Sequence, residues 1–168
     1  NGITPSDELA ERQVRIAKEL GLNMLHFHRS IGCENVLDYA DELGLLYFEE
    51  PGGNQYPIQR FNDDDKQSRF YFKYRDEKLS RMIKRDRNHP SLIIYNLHNE
   101  RGAYPQEQDY EQMRLGHQLD PTRILTYNSS NGPNPEKEHN TRFKLHLMPF
   151  DTTFYDRGWY DRHHAGGP

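Results

Sequence analysis

An amide and a carboxylate, Asn99 and Glu100, end the run Arg-Asp-Arg-Asn-His-Pro-Ser-Leu-Ile-Ile-Tyr-Asn-Leu-His-Asn-Glu at residues 85–100. The run opens with charge, Pro90 forbids further helix and biases His89 towards extended backbone, and Leu92 to Tyr95 are continuously apolar. A short strand buried on both faces fits that pattern, as in parallel sheets covered by helices. Its carboxyl end then presents a hydrogen-bonding amide beside an ionisable acid. A carboxyl in that position can donate a proton if burial or a neighbouring anion raises its pKa. Glu49, Glu50 and Asp151 are further acids expected at strand ends on the same face, and His28-Arg29 places basic groups at the end of another strand.

Metal chemistry has weaker support. Asp63-Asp64-Asp65 lacks the glycine and the distal glutamate of a calcium loop. His163-His164 has no third ligand at zinc spacing. No metal and no cofactor are expected, and the single Cys33 cannot form an internal disulfide.

The elements that would position these groups alternate. Thr4-Pro5-Ser6-Asp7 reads as a helix entry, with the Thr4 hydroxyl as cap and proline in the first turn. Leu9, Ala10, Val14, Ala17 and Leu20 form an apolar stripe, Gly21 stops the helix, and residues 22–28 follow as a strand. The period repeats with a helix over 35–43, Gly44, and a strand over 45–48. A breaker-rich connection over 51–69 leads to a helix over 70–87, with Phe72, Leu79, Met82 and Ile83 as buried candidates, and then to the strand that ends at Glu100. A helix over 110–119 and strands over 124–127 and 143–150 complete the series. Repeated helix-strand units of this kind predict a parallel sheet under helices.

At 168 residues, 33% of them hydrophobic, with a mean hydropathy of -1.09, the chain can form one domain with a lean core. The net charge is -4 and its basic residues are interleaved with acids, so no nucleic acid is expected as a partner. No stretch has the length of apolar sequence needed to cross a bilayer, and no membrane partner is expected. The start, Asn1-Gly2-Ile3-Thr4, lacks the charged and apolar regions of a signal peptide; without methionine it suggests a chain that begins partway through a longer protein.

Residues 85–100 resemble the fourth-strand signature of glycoside hydrolase family 2, the family of β-galactosidases and β-glucuronidases. Asp41-Glu42-Leu43-Gly44 through Glu49-Glu50 resembles that family's passage into its third strand. The likeness covers about residues 4–151 and is strongest over 36–50 and 79–100. It implies an α/β fold that is a partial TIM (β/α)8 barrel, holding approximately strands two to six with their helices, since a whole barrel takes about 250 residues. It also implies Glu100 as general acid/base, Asn99 as the amide on the sugar 2-hydroxyl, and Glu50 as a structural or substrate-binding acid. At the second strand the family usually has arginine where His26 stands and histidine where Arg29 stands, so His28 and Arg29 offer a differently arranged basic surface. The end of the expected sixth strand, at Asp151, lacks the tyrosine the family often carries. The aromatic, charged tail over 155–164, with Trp159, suits a loop that packs on a sugar face.

Glycoside hydrolysis of the retaining kind needs a second carboxylate roughly 5 to 5.5 Å from the first. By the family's order that nucleophile is a glutamate on the seventh strand, expected beyond Pro168. The resemblance thus implies a fragment of a retaining exo-acting glycosidase for β-linked sugars, inactive in isolation. Its expected partners are a carbohydrate substrate and the remainder of the parent chain or a complementing polypeptide. The competing expectation is a non-catalytic carbohydrate-binding or interaction module built on the same barrel.

Overall fold

Ser6, rather than Thr4, caps the first helix of the computed structural model: its Oγ accepts from the Leu9 amide at 3.3 Å. Pro5 therefore precedes the cap, where its carbonyl accepts from Asn35 Nδ2 at 2.8 Å. The later cap brings Asp7 and Glu8 into the first turn, where negative charge complements the helix dipole. This helix, α1 (Asp7–Glu19), buries only Ala10, Val14 and Ala17. Leu9 and Leu20, expected on the same stripe, are 46% and 72% exposed. Each lies off the narrow Ala-Val-Ala line along which α1 packs against the next helix. Gly21, at φ +77°, ends the helix as expected, with its own amide on Lys18 O and that of Leu22 on Ala17 O.

The structure describes residues 4–52, 66–98 and 107–128. After α1 come β1 (Met24–Phe27), α2 (Glu34–Leu43), β2 (Leu46–Glu49), α3 (Lys66–Asp86), β3 (Leu92–His98), α4 (Glu107–Leu119) and β4 (Ile124–Asn128). All four strands pair in parallel in chain order, β1-β2-β3-β4, each joined to the next by a helix. This is the wall of a (β/α)8 barrel, and the four strands are those read from the sequence as its second to fifth. The sixth strand expected over 143–150 lies outside the described residues. Helix α3 starts four residues before the expected Phe70, and Phe72 is half-buried under the Arg75 guanidinium, 5.1 Å from its ring centre.

One apolar core lies between sheet and helices. It joins Ala10, Val14 and Ala17 of α1, Val36, Leu37 and Ala40 of α2, and Leu79, Met82 and Ile83 of α3 to Tyr47, Tyr95, Leu97 and Leu125 of the strands. Helix α4 meets β4 through Gly116, where an added Cβ would come 3.1 Å from both Leu125 methyls. A side chain there would require the Leu125 methyls to shift by a few tenths of an ångström.

Much of the charged signature fastens this core. Asp41 of α2 takes His89 Nδ1 on one oxygen and the Ser91 amide on the other, both at 2.7 Å, and so pins the break before β3. Arg123 reaches back to the carbonyls of Leu92, Arg87 and His89. Tyr95 Oη donates to Asp120 at 3.0 Å. Replacing Asp41 by alanine leaves a ring nitrogen and a backbone amide without their acceptor. We expect a loss of about 1–3 kcal/mol in stability, read as a lower urea midpoint at unchanged slope.

Candidate active site

Side chains alternate along each strand, so the face opposite the helices takes His26, Phe48, Asn96 and Thr126, with Glu50 following directly after β2. His26, Glu50, Asn96 and Thr126 form a hydrogen-bonded row across four strands near their carboxyl ends. Glu50 Oε1 meets His26 Nε2 at 3.0 Å and accepts from Asn96 Nδ2 at 2.6 Å. The Thr126 hydroxyl bonds Asn96 Oδ1, and Asn96 Nδ2 also donates to the His98 carbonyl at 2.7 Å. The His26 ring stacks on Phe48 with centres 3.7 Å apart and planes 13° from parallel.

Glu50 is fully buried. Burial opposes its charge, but the hydrogen bonds from His26, Asn96 and the Arg29 amide outweigh it and hold the pKa below the usual glutamate value. The carboxylate is therefore ionised at neutral pH, and His26 donates through Nε2. Arg29 has the left-handed φ of +57°, unusual for a side-chain-bearing residue, and this bend lets its amide reach Glu50 Oε2 at 2.8 Å.

Glu49 does not share this face. Its Oε2 accepts from the Gly32 amide at 2.9 Å, on the helix side. Burial first, and then the adjacent Asp86 carboxylate, raise its pKa well above the ordinary value. Asp86 is itself held by Arg85 at 2.6 and 2.7 Å, and Arg85 bonds the Gly32 carbonyl, so the three charged residues close round the Gly32 loop as a structural lock. Gly32 has no room for a side chain: an added Cβ would lie 2.7 Å from the Phe27 ring. The folded state holds a proton on Glu49 that the unfolded chain releases more readily. Stability due to this group therefore falls as pH rises above the unfolded glutamate pKa of about 4.3, until the folded pKa is passed. Glu49→Gln is expected to remove that decline and to stabilise the protein at neutral pH by on the order of 1 kcal/mol. Thermal unfolding at pH 5 and pH 8 checks this; a lower midpoint for the variant at pH 8 contradicts it.

Among the residues singled out from sequence, Glu50 sits at the centre of the row. His28 and Arg29 are exposed at its β1 end, with the His28 ring edge-on to His26 at 5.3 Å. Asn99, Glu100, Asp151 and Trp159 lie outside the described residues. The chain on both sides of Asn99 and Glu100 is nevertheless tied. His98 ends β3, buried, with Nε2 3.5 Å from Asp109 Oδ1, and buried Arg75 donates to Asp109 at 2.8 Å and to Gln108 O at 2.6 Å. Nothing in the sequence analysis points to Asn96 or Thr126, and His26 stands there only as a departure from the family. The available signal was Asn96, a polar residue inside an apolar run and in phase with Ile94 and His98.

A parallel strand-helix wall with convergent polar groups at the carboxyl ends of its strands is part of a (β/α)8 barrel, seen at the end where that fold places its sites. The chain belongs to the glycosyl hydrolases family 2, TIM barrel domain, whose family model matches residues 8–161. A β-galactosidase of Thermoanaerobacterium thermosulfurigenes is 37% identical over 117 residues, 67% of this chain and 15% of that protein. A β-galactosidase of Lactococcus lactis is 30% identical over 105 residues, 61% of this chain and 10% of that protein. The crystal structure of Parabacteroides merdae β-glucuronidase superposes with a TM-score of 0.58 at 27% identity, over 72% of this chain and 16% of that one. The chain thus spans between a tenth and a sixth of the length of these relatives.

Proposed function

We propose that the chain is part of a retaining, exo-acting glycoside hydrolase for β-linked sugars, in which Glu100 is the general acid/base and Asn99 binds the sugar 2-hydroxyl. The observation that carries this reading is the row His26-Glu50-Asn96-Thr126. It fixes a buried, ionised carboxylate at the carboxyl ends of the strands, behind the exposed His28 and Arg29, and the strand bearing Asn96 leads in sequence to Asn99-Glu100. Glu50 is a substrate-binding or positioning acid, since its depressed pKa unsuits it to donate a proton at neutral pH. His28 and Arg29 stand at the mouth as sugar contacts. Asp151 and Trp159 are proposed to contact the substrate from loops further along the chain.

Galactosidases and glucuronidases among the relatives, and the small share of their length that the chain covers, support a role within a larger protein. The nucleophile and the remaining strands then come from the rest of that protein or from a complementing polypeptide. The test is hydrolysis of aryl β-glycosides over a series of leaving groups by the intact protein and its Glu100→Gln variant. Equal cleavage of poorly activated glycosides by both removes Glu100 from the role. Absence of hydrolysis by the intact protein, with retained sugar binding, favours a carbohydrate-binding module.

A further inference from the structure

His26 and His28 leave β1 as a His-x-His pair, and together with Glu50 they form the one cluster of three potential metal ligands among the described residues. Their ligand atoms all lie within 4.8 Å of one another. We propose that His26, His28 and Glu50 bind one divalent cation of the Zn2+ class. The inference does not depend on hydrolysis, because it is read by metal binding.

The donor types select the cation. Two imidazoles and one carboxylate suit borderline first-row ions, whereas Ca2+ and Mg2+ favour all-oxygen surroundings. Separations also agree with such an ion. Metal-ligand bonds of about 2.0–2.2 Å at tetrahedral angles put neighbouring donors roughly 3.3–3.6 Å apart. His26 Nε2 and Glu50 Oε1 already stand at 3.0 Å, and the ligand atom of the exposed His28 lies within 4.8 Å of both.

The surrounding residues hold the ligands as a metal site requires. Phe48 fixes the plane of the His26 ring by stacking, while the Arg29 amide and Asn96 Nδ2 fix both oxygens of Glu50. Without metal, the proton on His26 Nε2 occupies the space between that nitrogen and Glu50. On binding, the cation takes that place, and the proton moves to Nδ1 or to solvent. Three protein ligands leave a fourth tetrahedral position for water or a sugar hydroxyl.

The intact protein, stripped with EDTA, is titrated with ZnCl2 by calorimetry and with Co2+ by visible absorption. Alongside it run His28→Gln, His26→Gln and a His163→Gln/His164→Gln double variant, the last because adjacent histidines can take up Zn2+ by themselves. We expect one equivalent bound by the wild type, the visible absorption of His-ligated Co2+, and an affinity lowered at least about 10-fold in His28→Gln and in His26→Gln. The double variant should leave this equivalent in place. His28 is exposed, so its variant should unfold at the wild-type temperature without metal and report on ligation alone. No binding to the wild type, or unchanged affinity in both His28→Gln and His26→Gln, overturns the proposal.

Discussion

On a β-glycoside with a poorly activated leaving group, Glu100→Gln is expected to lower kcat/KM of the intact protein by about 10³-fold. On a dinitrophenyl glycoside the loss should stay within about 10-fold. General acid catalysis contributes on the order of 10² to 10⁴, and only where the departing oxygen needs its proton in the transition state. A dinitrophenolate leaves without one, so the difference between the two substrates isolates proton donation from binding. In a retaining glycosidase kcat/KM reports the step that forms the glycosyl-enzyme, so on the proposed mechanism slower hydrolysis of that intermediate in the variant does not blur the comparison. An equal loss on both substrates would make Glu100 a binding or structural group instead.

Glu50→Ala is expected to destabilise the protein by about 3–5 kcal/mol, because it removes the common acceptor of a fully buried network. His26 Nε2, Asn96 Nδ2 and the Arg29 amide would each lose a partner at once. Glu50→Gln keeps one acceptor oxygen and the side-chain volume, so about 2–3 kcal/mol is expected there. The pH dependence separates the charge from the packing. The folded pKa of Glu50 is depressed, so its contribution is complete above the unfolded pKa of about 4.3 and is lost as pH falls through the lower folded value. In chemical unfolding from pH 7 to pH 3, the difference between wild type and Glu50→Gln should narrow towards the acid end. A difference independent of pH would show that the ionised carboxylate is not what binds the row together.

The opposite behaviour of Glu49 shows how far one position in a strand can move a carboxyl group chemically. Consecutive residues of an extended chain face opposite sides, so Glu49 meets Asp86 and the helices while Glu50 meets His26 and Asn96. Burial beside a like charge raises the pKa of one, and three donors lower that of the other. Only Glu50 is placed for the open face of the sheet.

What the sequence determined by itself was the alternation of elements and the family. Gly21 and Gly44 stop their helices at positive φ, and Pro90 separates α3 from β3, because these are local backbone constraints that need no distant partner. The signature over 85–100 was legible as a motif, although Arg85, Asp86, His89 and Ser91 turn out to fasten the fold while the chemistry is assigned to its far end. Tertiary structure alone decided which side chains meet. Leu9 and Leu20 fit the helical period and are still exposed, because burial depends on where α2 packs. His26, Glu50, Asn96 and Thr126 are spread over a hundred residues and become neighbours only through the parallel register of four strands. Hydrogen bonds between residues so far apart in the chain leave no local periodicity to read, and that is why the row, and the ionisation state it imposes on Glu50, had to come from the fold.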